Sequence, residues 1–99
     1  MKLKSAMNKN NKLTLIKGNF SNEEASEILV NLISSKISFH QLKNFSSQEQ
    51  FGKEDKIANK RIPALKKELE KLKKILLVAK KKNTRLLVSS EINITLLED

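Results

Sequence analysis

The sequence predicts an α+β domain in the order β-α-α-β, a long antiparallel helical hairpin packed on a small β-sheet. Two observations carry that expectation. From Asp55 to Lys82 the apolar residues Ala58, Ile62, Leu65, Leu69, Leu72, Leu76 and Ala79 are spaced 4, 3, 4, 3, 4, 3, which keeps them on one narrow stripe of a single helix. At either end of the chain, Lys12–Gly18 and Thr84–Leu97 alternate with the period of two that marks strands.

The elements follow in order. Residues 1–11 are polar and aperiodic and read as a flexible leader, leaving 12–99 as a single domain. Lys12–Gly18 then places Leu13 and Leu15 on one face and Thr14 and Ile16 on the other, with Gly18-Asn19 as its stop. Ser21, with Glu24 three residues on, forms a capping box that opens the first helix, and Glu23, Glu24 and Glu27 favour the positive end of its dipole. Ala25, Ile28, Leu29, Leu32, Ile33 and Ile37 make its expected apolar face. Beyond Lys36 that face weakens, and the helix is expected to end at 44–47.

Phe45–Glu54 reads as a connection broken at Gly52. Glu54 and Asp55 supply negative charge for the start of the second helix. Pro63 either kinks a helix that begins at Asp55 or falls in the first turn of one that begins near Asn59; the early start is preferred. Lys67–Glu70, Glu68–Lys71 and Glu70–Lys74 are spaced for weak ion pairs, and Lys80–Lys82 with Asn83 suit the helix C-terminus. In Thr84–Leu97 the residues Leu86, Val88, Ser90, Ile92, Ile94 and Leu96 share one parity. One continuous or bulged strand through Ser89-Ser90 is therefore expected.

Composition narrows the function classes. There is no cysteine, so disulfides and thiolate chemistry are excluded, and a reducing, cytoplasmic setting is expected. No apolar run is long enough to span a membrane. The one histidine, His40, has no second ligand residue beside it, and the serines stand in no nucleophile-elbow context. A non-enzymatic protein without metal or cofactor is the expectation.

The net charge of +9 comes from 18 lysines and two arginines, which points to an acidic partner such as nucleic acid. The same Lys, Asn and Ile richness is what an AT-rich genome encodes by default. Lysine without arginine or aromatics is also a weak recognition signal.

Three of the four phenylalanines lie between Ser38 and Ile62 with His40, Arg61 and several amides. Two readings stay open for this tip. His40, Lys43, Asn44, Phe45, Phe51 and Arg61 could form a partner-binding surface. Alternatively Phe45 and Phe51 could anchor a small satellite core under the connection. Phe39-His40-Gln41-Leu42-Lys43-Asn44-Phe45-Ser46-Ser47, Phe51-Gly52-Lys53 and Lys60-Arg61-Ile62 resemble the central part of short uncharacterised bacterial proteins. That resemblance implies a shared polar tip and brings no activity with it.

The expected function is thus a small interaction module that self-associates as a homodimer and binds a protein partner through the hairpin tip, because a sheet of two or three short strands is a poor independent unit. The alternative is a nucleic-acid-binding protein using Lys66, Lys67, Lys71, Lys73, Lys74, Lys80, Lys81 and Lys82.

Overall fold

The computed structural model describes residues 10–97, so the expected leader falls outside the described residues except for Asn10 and Asn11. The element order is β1 (Asn10–Phe20), α1 (Asn22–Phe51), α2 (Lys56–Lys82) and β2 (Leu86–Thr95). These residues fall into two compact units, a ribbon within residues 10–19 and 87–97 and a hairpin over Phe20–Leu86.

The ribbon is a two-stranded antiparallel sheet of β1 and β2. Strand β1 starts two residues before Lys12 and runs through Gly18-Asn19 to Phe20. Gly18 fails as a stop because its φ is not positive; it sits in the ladder as an ordinary extended residue. Strand β2 is continuous through Ser89-Ser90. The Thr95 hydroxyl donates to the Asn10 side-chain oxygen across the ribbon. Directly opposed residues share a face, so the odd residues of β1 lie on the same face as the even residues of β2. That face carries Leu13, Leu15, Val88, Ile92 and Ile94.

In the hairpin, Ser21 caps α1 as expected. Its hydroxyl accepts from the Glu24 N–H at 3.1 Å, and its own N–H donates to Glu24 Oε1 at 2.9 Å. The helix does not stop at 44–47. It runs on to Phe51, because nothing from Asn44 to Gln50 breaks it, and ends where Gly52 takes φ 67° and donates its N–H to the Gln48 carbonyl. The expected ten-residue connection therefore shrinks to Gly52–Asp55. Asp55 caps α2, accepting from the N–H groups of Ile57 at 2.9 Å and Ala58 at 3.2 Å. The early start is the one adopted, with Pro63 inside the helix. Asn83 closes it in the left-handed region at φ 53°.

Along α2 the residues that are not exposed are the seven of the seam and no others. The facing stripe of α1 includes Ala25, Leu29, Ile33, Ile37, His40, Asn44 and Ser47, so it turns polar toward the tip. Ile28 is not in it and stands 38% exposed. Two cross-helix bonds fix the relative height of the helices. The Asn22 side-chain amide donates to the Leu76 carbonyl at 2.6 Å, and Asn44 Oδ1 accepts from the Asp55 N–H at 2.8 Å. Among the described residues the buried core is Ala25, Ile37, Ala58, Leu65, Leu76 and Ala79, with no large side chain fully buried.

Candidate interaction surfaces

The tip gathers the expected partner-binding residues into one region but gives them different tasks. Asn44 is half-buried and spends its side-chain oxygen on the Asp55 N–H, so it fastens the connection. His40 is half-buried on the seam side, its ring edge-on to Phe39 at 5.2 Å and 76°. Lys43 reaches over the Phe39 ring, 6.0 Å from its centroid. Phe45 and Phe51 are 60% and 69% exposed, which removes the satellite core under the connection. Helical continuation is the reason: on α1 Phe45 points away from the seam, and Phe51 closes the last turn. Arg61 is exposed on α2. A shallow depression lined by Lys43, Ser46, Ser47, Gln50, Phe51 and Asp55 crowns the tip.

The basic residues do not converge. Lys66, Lys67, Lys71, Lys73, Lys74, Lys80, Lys81 and Lys82 are all exposed, and at 100° per residue they spread over more than half the circumference of α2. Among the described residues, Glu68–Lys71 at 3.6 Å is the one of the three expected α2 pairs that closes. The charge is nevertheless sharply divided between helices. Helix α2 holds eleven basic and two acidic side chains, net +9, whereas α1 holds two lysines and four glutamates, net −2.

A further surface lies beside the seam. The residues one position before the α2 seam are Ile57, Arg61, Ala64, Glu68, Lys71, Ile75 and Val78. On α1, Ile28, Leu32, Ser35, Phe39, Leu42 and Ser46 repeat at 4, 3, 4, 3, 4, with Ile28, Leu32 and Phe39 each preceding a seam residue. In an antiparallel pair, equal offsets from the seam turn toward the same side, because both helices are right-handed and face each other. The opposite side shows this directly. A groove there is lined by Ser26, Val30, Lys73, Leu77 and Lys80, each one position after a seam residue.

The first side therefore joins both stripes into one face. On it Ile28, Phe39, Ile57, Ile75 and Val78 are 38–67% exposed, while Leu42, two positions from both His40 and Asn44, turns to the outer side of α1. Sequence reading missed this face, since Arg61, Glu68 and Lys71 interrupt the apolar residues on α2; the heptad repeat on α1 was the signal that could have found it.

Among the described residues no three His, Asp or Glu side chains are grouped to hold a metal ion, and no helix is long and apolar enough to cross a membrane. Family models, curated proteins and solved structures all give no match to this chain, so function is argued from its own residues.

Proposed function

We propose that this chain is a small non-enzymatic interaction module of the cytoplasm that self-associates as a homodimer and engages a protein partner through its hairpin tip. One observation carries the reading. The hairpin leaves five large apolar side chains on a single face at 38–67% exposure while burying no large side chain completely. An apolar face of that kind on so small a core, broken by Arg61, Glu68 and Lys71, supports an association surface. Lys43, Phe45 and Phe51 are exposed at the tip, Lys43 and Phe51 lining the depression, where aromatic and cationic groups suit a protein partner. Sedimentation equilibrium at high micromolar concentration is expected to give a dimer, and a monomer would remove the reading.

The net charge of +9 on α2 favours a second reading, electrostatic binding of nucleic acid through the lysines spread around that helix. Such binding would be insensitive to sequence and would fall steeply with salt. A fluorescence titration at low salt with no affinity for DNA or RNA would dispose of it.

A further inference from the structure

We infer that the apolar face of the hairpin takes a second copy of this chain, with α1 of each copy against α2 of the other and both tips at the same end. The inference rests on the homodimer reading above and adds its geometry.

The size of the face is right for this occupant. Five side chains of this exposure offer on the order of 500 Å² of apolar surface, and flanking residues raise the total toward the roughly 800 Å² per partner of a standard interface.

Charge selects the arrangement. Two hairpins stacked face to face make four helices, and a two-fold axis can run either across them or along them. An axis across the helices sets α2 against α2, two helices of net +9 about 10 Å apart, close to the screening length of roughly 8–10 Å. An axis along the helices sets each α2 between two α1 helices of net −2 and moves the second α2 to the diagonal, about 14 Å away. Attraction replaces repulsion at the short distance, so the second arrangement wins.

That arrangement keeps residues of equal height together. The bonds Asn22–Leu76 and Asn44–Asp55 show which residues those are. Phe39 then meets the partner's Arg61, a ring beneath a guanidinium, and Ile28 meets the aliphatic stem of the partner's Lys71. Glu68 and Lys71, the remaining charges of the face, already pair with each other at 3.6 Å.

The test uses the absence of native cysteine. Lys53→Cys, in the exposed connection, carries a nitroxide label, and the distance between labels is measured by pulsed electron spin resonance on the full chain. Tips at the same end predict a separation of roughly 20–30 Å, whereas tips at opposite ends lie more than about 40 Å apart, the length of α2. Ile75→Glu is expected to weaken association at least tenfold, and the uncharged Leu77→Gln on the opposite side to leave it unchanged. A dimer with a long label separation, a trimer or larger assembly, an indifferent Ile75→Glu or a disrupted Leu77→Gln would overturn the arrangement while leaving self-association standing. A monomer would overturn both. If Ile75→Glu fails to fold, the label distance decides alone.

Discussion

At the level of single side chains, the capping box and the tip make opposite demands. Ser21 holds the Glu24 carboxyl below its ordinary range, first through the backbone N–H and then the side chain, with a smaller contribution from Arg85, 3.9 Å away. The stability from that depressed pKa is present above about pH 4.5 and is lost as the pH falls through the folded value. Thermal melts over that window should show Glu24→Gln less sensitive to acid than the parent, and Ser21→Ala should cost roughly 1 kcal/mol at neutral pH. At the tip, Phe45→Ala and Phe51→Ala remove exposed groups. Each should stay within about 0.5 kcal/mol in a melt while weakening partner capture. Losses of roughly 2–4 kcal/mol would instead make these side chains structural. The sequence marked these residues by composition, and the structure separates them. Asn44 could not be told from its neighbours because its partner, the Asp55 N–H, is eleven positions away and visible only once the connection is closed.

Among the elements, α2 was the most legible. Its seven-residue stripe is periodic, uninterrupted and identical with the residues that the structure withdraws from solvent. Helix α1 was legible for its first half only. Its later seam residues, His40, Asn44 and Ser47, are polar, so periodicity vanished while the backbone, which needs no apolar residue to stay helical, continued to Gly52. The energetics should follow burial. Leu65→Ala, 9% exposed at the middle of the seam, should cost about 2–4 kcal/mol by chemical denaturation. Pro63→Ala should act the other way. Proline has no N–H for the Asn59 carbonyl, and an alanine there restores a helical bond, for a gain on the order of 1–3 kcal/mol. A loss would mean that Pro63 sets a bend on which the seam depends.

For the whole molecule, the two units differ in how far along the chain their contacts reach. The hairpin joins residues as close as Asn44 and Asp55, while the ribbon joins Asn10 to Thr95 across 85 positions. Closing such a span from an unfolded chain is slow, because the entropy of the long loop is lost before any pairing is gained. The hairpin removes that obstacle. With α1 and α2 paired, the Asn22–Leu76 bond holds the hairpin's open end together, and the chain runs from there into β1 and β2. The expected order of assembly is therefore hairpin first and ribbon second, so Leu65→Ala in the seam should slow folding while substitutions in the ribbon should chiefly speed unfolding, which stopped-flow kinetics would read.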